Sequence, residues 1–219
     1  MVEYINRIVR KKRNSYYHYK NSDDNNNYRM SRIIWWDLET TGLNPFHNKI
    51  IEISARDNSG ETFNSLIKMD EPLDVAIVKI TGITDSLLST EGHDACEVFN
   101  NFYNYMTLGK ANTRTFMVAH NGDGFDRLFL KTQLNMYGLK IPGNIYFLDS
   151  LYLSRLVLPH MKSHSLETLC KYYKIDNKNA HRAESDVNVL CSLWNIWTKE
   201  FSKMYGSDKI RDIYNKIYF

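Results

Sequence analysis

No stretch of the sequence approaches the ~18 consecutive apolar residues that a membrane-spanning helix needs. The amino terminus also lacks an apolar core flanked by a cleavage site, which a secretory signal would have. We therefore expect no membrane contact. We also expect an intracellular protein, cytoplasmic or nuclear, that is not secreted.

Cysteine is scarce, and the three residues present are Cys96, Cys170 and Cys191. Their number is odd and no pair has CxxC spacing, which excludes a disulfide framework and a cysteine-based zinc site. We predict that all three are buried packing residues in a reducing compartment.

A strong net charge is missing from most of the chain. The total is +3, yet residues 1–32 carry eight Lys or Arg against three acids, so the remainder is close to neutral. This basic head also contains several tyrosines, which is typical of an arm that follows phosphates and stacks on bases. A nuclear import signal at 10–13 and a solvated tail are the alternatives. Because residues 21–27 have the composition of a linker, we predict a flexible extension over 1–30 and one domain over 31–219.

Hydrophobic periodicity predicts strands first, and then strands that alternate with helices. Strands are expected at 33–39, 49–55, 62–68, 115–119 and 145–148. Helices are expected at 94–106, 126–137, 150–157, 165–173 and 183–201, with a further one at 210–217. Residues 75–80 form a short apolar segment. This order predicts an α/β domain in which helices flank both faces of a mixed sheet.

Two carboxylates, Asp37 and Glu39, close the first predicted strand. Side chains two positions apart on a strand point to the same side, so both acids project together from the end of a buried strand. Neighbouring acids repel each other and lose hydration, and a divalent cation removes that cost. A cluster of oxygen ligands suits Mg²⁺ or Mn²⁺. A solvated sheet edge without a metal is the alternative interpretation.

Two further acids and a histidine stand at comparable places. Asp126 follows a predicted strand and opens a helix, where loops bring polar groups to the end of a sheet. Asp186 lies beside the apolar stripe of the last long helix, so its carboxylate needs a partner. That partner is either a metal ion or a surface Lys or Arg. His181 would not share a helical face with Asp186, so we place it in the preceding loop. Two-metal phosphodiester hydrolysis uses such a set, in which four acids bind the metal ions and a histidine is the general base.

Four motifs then occur in an order and spacing that one enzyme family has in common. They are DLETTGL at 37–43, ITGI at 80–83, AHNG at 119–122 with Phe125 and Asp126, and HRAESDV at 181–187. On these motifs, which cover roughly residues 32–200, the chain resembles the DEDDh family of 3′→5′ exonucleases on an RNase H-like, DnaQ-like fold. Within that family, AHNGD at 119–123 and KSHSL at 162–166 look most like the three-prime repair (TREX-type) exonucleases.

The resemblance implies a role for each motif residue. Asp37, Glu39, Asp126 and Asp186 would hold two Mg²⁺ ions, for which Mn²⁺ could substitute, and His181 would be the general base. Asp37 would bridge the two ions, and Asp126 would act largely through water. Leu43 would wedge against the terminal base. The residues that would bind the terminal nucleotide are Glu39, Thr40, Leu43, His120, Asn121 and Phe125.

The sequence departs from the TREX-type pattern in two places. Phe125 stands where those enzymes tend to have tyrosine, so a hydroxyl contact to the substrate is missing. The proline-rich loop of the mammalian members has no counterpart between positions 149 and 162, which argues against a proline-dependent partner. TREX-type relatives are dimers, so a homodimer is an expectation from resemblance alone.

We therefore predict a Mg²⁺- or Mn²⁺-dependent exonuclease that removes nucleoside 5′-monophosphates from free 3′ ends. Single-stranded DNA is the favoured substrate. One alternative is a 3′→5′ exoribonuclease that trims small RNAs or RNA 3′ ends. Another is a nucleic-acid-binding or polymerase-associated module without catalysis. The acids count against the latter, because a binding protein has no need for four carboxylates beside phosphates.

Overall fold

The computed structural model describes residues 32–108, 114–177 and 180–206. By their contacts, the described residues up to Trp197 form one compact unit, and those from Thr198 onward belong to a second. The predictions for the basic head, its boundary at residue 30 and a helix at 210–217 lie outside the described residues. Among the helices that the structure describes, none is long and apolar enough to cross a membrane.

A five-stranded mixed sheet forms the centre of the first unit. Its strands are β1 (Arg32–Thr40), β2 (Ile50–Asp57), β3 (Thr62–Leu66), β4 (Thr115–Ala119) and β5 (Ile145–Asp149), in the spatial order β3-β2-β1-β4-β5. The first three strands pair antiparallel, whereas β4 and β5 run parallel to β1. Because β1 is central, its carboxyl end lies between the connections on either side, which is where such sheets bind ligands.

Seven helices lie within the described residues. They are α1 (Val75–Thr81), α2 (Asp85–Glu91), α3 (Ala95–Thr107), α4 (Asp126–Met136), α5 (Ser150–Val157), α6 (Leu166–Tyr173) and α7 (Ala183–Tyr205). Five begin at a side chain that accepts a backbone N–H of the first turn, as N-cap residues do. These caps are Asp74, Thr84, Asp94, Asp149 and Ser165.

Alternation along β1 separates the core from the acids. Ile34, Trp36 and Leu38 are buried in the main hydrophobic cluster with residues of α3 and α4, including Phe102 and Phe129. The intervening residues of β1 point to the opposite face, toward which α7 presents its amino-terminal half. The predicted mixed sheet with helices on both faces is confirmed, and it places Asp37 and Glu39 away from the main core.

Three local predictions need correction. Residues 85–91 were not predicted to be helical, but Thr84 caps a helix there through the N–H of Leu87. The third strand ends at Leu66, and Ile67 only forms an isolated bridge with His93. Of the three cysteines predicted to be buried, only Cys170 is: Cys96 is exposed on the solvent side of α3, and Cys191 is half-buried.

Candidate active site

The carboxylates of Asp37, Glu39 and Asp186 meet at one point. One oxygen atom from each side chain lies within 4.8 Å of the other two. Asp37 and Glu39 come from the same side of β1, and Asp186 comes from the first turns of α7. The structure therefore brings together three of the four predicted metal ligands from positions about 150 residues apart in the chain.

The chain turns sharply where β1 ends. The hydroxyl of Thr40, which is buried, donates to the carbonyl of Gly42 at 2.6 Å. A Cβ atom at Gly42 would lie 2.6 Å from the Asn48 side-chain oxygen, so the close approach of this side chain requires glycine. Leu43 follows and is 84% exposed. Its side chain is therefore free to contact a ligand, as the predicted wedge requires.

Asp126 lies at the start of α4, beside this cluster but outside the group of three. Its side chain is buried, and burial raises its pKa to about 7, with the charge of Asp149 acting in the same direction. The backbone N–H groups of Asp126 itself and of Leu38 oppose the shift because they stabilise the ionised carboxylate. Asp126 in turn raises the pKa of Asp37, so these two carboxylates share one electrostatic environment.

Burial and mutual repulsion raise the pKa of every acid in the cluster. Burial is the largest cause for Asp37, followed by the charges of Asp126, Asp186 and Glu39. For Glu39, burial and the charges of Asp186 and Glu52 raise the pKa to about 8, although Arg182 lowers it. Burial also raises the pKa of Asp186. A cation at this point would relieve the repulsion among these buried acids, and their oxygen-only donors are those that a hard divalent cation prefers.

These shifts predict how the metal-free protein responds to pH. A carboxylate whose pKa is raised on folding stabilises the fold below its ordinary pKa and loses that contribution as the pH rises through the folded value. For Asp126 and Glu39, the loss begins above their ordinary pKa values near 4 and is complete only near pH 7 and 8. We expect Tm in EDTA to fall between pH 6.5 and 8.5, and each kcal/mol lost lowers Tm by about 2–4 °C in a chain of this size. Excess Mg²⁺ should raise Tm more at the higher pH, because it binds the ionised acids.

Thermal unfolding followed by circular dichroism checks this prediction. Glu39→Gln should flatten the pH dependence, whereas Glu91→Gln, an exposed acid on α2, should leave it unchanged. His120 does not disturb the comparison, because its lowered pKa of about 4 affects stability only below its ordinary value near 6.5. An apo protein that is equally stable at both pH values would contradict the electrostatic description of the cluster.

His181 lies in the turn before α7, as predicted, and it is exposed. Its backbone φ of 65° is left-handed, and its N–H donates to Asp186 Oδ2 at 3.0 Å. The other carboxylate oxygen of Asp186 accepts from the Asn177 side chain at 3.0 Å, and Asn177 accepts from the Ser185 hydroxyl at 2.8 Å. Asp186 therefore fixes the backbone of the loop that carries His181. Asn177 was not predicted, because an asparagine in a loop gives no distinctive signal.

His120 uses both ring nitrogens inside the protein. Nε2 lies 2.6 Å from the carbonyl oxygen of His164, and Nδ1 lies 2.8 Å from the hydroxyl of Ser150. Burial lowers the pKa of His120 to about 4, so the ring is neutral at pH 7. Nε2–H then donates to the carbonyl, and Ser150 donates to Nδ1. The predicted nucleotide contact of His120 would therefore have to use ring carbon atoms.

Asn121 and Phe125 lie in the loop between β4 and α4. Asn121 is exposed with a left-handed φ of 62°, and its N–H donates to Asp149 at 2.9 Å. Phe125 is half-buried and packs on Phe129, with the ring centroids 4.8 Å apart. Asp149 also accepts from the N–H groups of Asp123 and Leu151. It therefore organises the loop, a role that its position at a strand end did not reveal.

Glu52 is a further buried acid that the sequence interpretation did not include. It stands opposite Glu39 in the antiparallel pairing of β1 and β2, and it raises the pKa of both Glu39 and Asp37. Arg182 binds it at 2.9 Å. The alternation of apolar and polar residues in β2 could have indicated which face Glu52 occupies, but its partner depends on strand register.

The mixed sheet with helices on both faces is the RNase H-like fold. The fold is similar to that of E. coli exonuclease I in complex with a dT13 oligonucleotide, with a TM-score of 0.70 and 19% identity over 80% of this chain and 43% of that one. An E. coli exonuclease I complex with single-stranded DNA gives a TM-score of 0.68 at 20% identity, over 81% of this chain and 41% of that one.

Sequence comparison then identifies the family. The model of the exonuclease family RNase_T matches residues 34–194, so the chain belongs to this DnaQ-like exonuclease family. It is 36% identical to exonuclease DPD1, chloroplastic/mitochondrial, of Arabidopsis thaliana, over 76% of this chain and 56% of that protein. It is 35% identical to the PolC-type DNA polymerase III of Mycoplasma genitalium, over 77% of this chain. The chain spans only 11% of the length of that polymerase. Membership of the DnaQ-like exonuclease family is confirmed, while the DEDDh subtype and the closer resemblance to TREX-type members stay predictions.

Proposed function

We propose that this protein is a divalent-metal-dependent 3′→5′ exonuclease of the DEDDh type that releases nucleoside 5′-monophosphates. One observation carries the proposal: in a chain of the exonuclease family, the oxygens of Asp37, Glu39 and Asp186 converge within 4.8 Å at the end of the central strand. Binding and catalytic residues are often found where a rigid sheet positions loops, as it does at this strand end.

The donor set fits a hard cation. The three converging ligands are carboxylates, and burial together with the repulsion of neighbouring acids raises the pKa of each. Asp37, Glu39 and Asp186 would hold one Mg²⁺ or Mn²⁺ ion, and Asp37 with Asp126 would hold the second. When bound, the ions supply Lewis-acid stabilisation of charge on the scissile phosphate.

The remaining roles fall to residues around the cluster. His181 would take a proton from the attacking water, and its exposed position in the loop before α7 leaves the ring accessible. Its backbone is fixed by Asp186, so the base and a metal ligand would keep a constant separation. Leu43, which is exposed directly after the two acids of β1, would press against the terminal base.

Single-stranded DNA is the proposed substrate. Support comes from similar proteins. The solved exonuclease I complexes contain single-stranded DNA and a dT13 oligonucleotide, and the PolC-type relatives are DNA polymerases. The acids do not discriminate by themselves, because DNA and RNA present the same phosphate and differ at the 2′-hydroxyl.

Digestion of labelled oligonucleotides tests direction and substrate together. Matched DNA and RNA strands would carry a label at the 5′ end in one set and at the 3′ end in another. We expect the 3′ label to be released at once as a mononucleotide, whereas strands labelled at the 5′ end should shorten stepwise. DNA should be digested faster than RNA. Digestion should stop in EDTA.

Other outcomes of this experiment point elsewhere. Faster digestion of RNA would favour an exoribonuclease that trims RNA 3′ ends. Normal digestion of a strand whose 3′ end is chemically blocked would contradict exonucleolytic attack from that end. Binding without metal-dependent digestion would favour a polymerase-associated binding module.

A further inference from the structure

Glu52 and Arg182 connect the sheet to the beginning of α7. Arg182 Nη2 lies 2.9 Å from Glu52 Oε1, and Arg182 Nε lies 3.4 Å from Oε2. The N–H of Ala183, the first residue of α7, donates to the same Oε2 at 3.1 Å. Glu52 is buried and Arg182 half-buried, so this carboxylate binds two consecutive residues in a partly desolvated position.

This connection lies between the elements that carry the acid cluster. On β2, Glu52 pairs with Glu39 of β1 across the antiparallel ladder. On the other side, Arg182 follows His181 directly and lies one helical turn before Asp186, whose N–H donates to the Arg182 carbonyl at 3.1 Å. A displacement of Arg182 would therefore move both His181 and Asp186 relative to Glu39.

Exposed side-chain hydrogen bonds also join α7 to the sheet within the described residues. Arg56 of β2 donates to Asn188 at 3.2 Å, and Asn64 of β3 donates to Glu184 at 3.2 Å. Exposed polar contacts of this kind contribute little, because water competes for both partners. Glu52 is the buried partner among these three connections, and it is the one that reaches the helix start.

We propose that Glu52 and Arg182 are positioning residues whose ion pair sets Asp186 and the His181 loop against Asp37 and Glu39. The inference rests on the proposed function of that cluster. Misplacing a catalytic group by about 1 Å costs about 10²-fold in rate, so an anchor at this point governs the site without touching the substrate.

Whether replacing Arg182 strengthens or weakens cation binding distinguishes a positioning role from a simple charge effect. Removing the positive charge of Arg182 would strengthen cation binding if only charge mattered, because Arg182 opposes the negative charge at Glu39. If Arg182 positions Asp186, its removal weakens cation binding instead. We expect Arg182→Ala to weaken Mn²⁺ binding by about 10–100-fold, as substitution of groups that orient metal ligands does. Glu52→Ala should weaken it at least as much, because the acceptor of the Ala183 N–H is lost as well.

The double variant Glu52→Ala/Arg182→Ala tests the proposal with less risk of unfolding than either single substitution. It leaves no buried charge without a partner, which is the main hazard of either single substitution. Its net charge equals that of the wild type, so a charge effect predicts normal Mn²⁺ affinity. Positioning predicts that the affinity stays low. The loss should be smaller than the two single losses combined, because both remove the same interaction.

The experiment measures Mn²⁺ binding to the full chain by isothermal titration calorimetry, with Mn²⁺ alone as the probe. Thermal unfolding confirms that each variant is folded. Arg56→Ala is the matched control, since it removes an exposed arginine that joins the same strand and helix. Its affinity should equal that of the wild type. Steady-state kinetics should show Arg182→Ala lowering kcat with little change in KM.

Wild-type or tighter Mn²⁺ binding by Arg182→Ala would overturn the positioning role. So would normal affinity in the double variant. If the wild type itself neither binds Mn²⁺ nor digests nucleic acid, the proposed function fails. If the wild type binds Mn²⁺ and digests nucleic acid, and these variants bind Mn²⁺ as tightly as the wild type, the proposed function stands and the positioning role does not.

Discussion

Replacing Asp37 with asparagine is expected to lower turnover at saturating Mg²⁺ by at least about 10³-fold. Asp37 lies at the centre of the acid cluster, where the charges of Asp126, Asp186, Glu39 and Glu52 all act on it. A metal ion contributes several kcal/mol to stabilising charge in a phosphoryl-transfer transition state, which corresponds to about three powers of ten in rate. Asparagine preserves the side-chain volume but removes the negative charge that would hold the ion. The measurement is single-turnover digestion of a 5′-labelled single strand.

The same variant should become more stable without metal. Burial and four neighbouring acids raise the pKa of Asp37, so a neutral side chain relieves both desolvation and repulsion. We expect a higher Tm than wild type in EDTA at pH 8, and a smaller gain in Tm on adding Mg²⁺. Asp70→Asn, at an exposed acid in the loop after β3, should behave as wild type in both assays. Normal turnover by Asp37→Asn would remove this residue from the site.

Replacing His181 is expected to have the second largest effect. Loss of a general base lowers rates by about 10²–10⁴-fold. We choose asparagine because the backbone of His181 is left-handed, and asparagine tolerates that conformation better than most residues. The N–H that donates to Asp186 is thereby retained, so Mn²⁺ affinity should stay close to wild type.

The pattern of loss identifies the role. In His181→Asn, kcat should fall while Mn²⁺ binding, measured by titration, persists. His47→Asn provides the control, since His47 is exposed in the turn after β1. If kcat is unchanged, His181 is not the base. If Mn²⁺ affinity falls together with kcat, the histidine acts by supporting the metal ligands.

The sequence predicted those features that depend on local periodicity. A repeat of two places Asp37 and Glu39 on one side of β1, while Ile34, Trp36 and Leu38 lie on the other. The boundaries of β4 and α5 were predicted to the residue, because each has an uninterrupted pattern. The order of the motifs then identified the exonuclease family, which the family match confirms.

Features that depend on register and tertiary contacts could not be predicted in the same way. The position of Glu52 opposite Glu39 follows from the antiparallel pairing of β1 and β2, and its contact with Arg182 joins positions 130 residues apart. The two ring partners of His120 come from residues 30 and 44 positions later in the chain. Helix α2 was missed because its seven residues are too few for a periodic signal, and its cap at Thr84 decides its start.

Anomalous diffraction from crystals soaked in Mn²⁺ tests the metal site most directly. We expect a peak within about 2.0–2.6 Å of carboxylate oxygens of Asp37, Glu39 and Asp186, the range of oxygen–cation distances in proteins. Crystals of Asp37→Asn, treated identically, should lose it. A wild-type crystal with saturating Mn²⁺ but no peak among these three side chains would contradict the assignment of this cluster as the catalytic metal site.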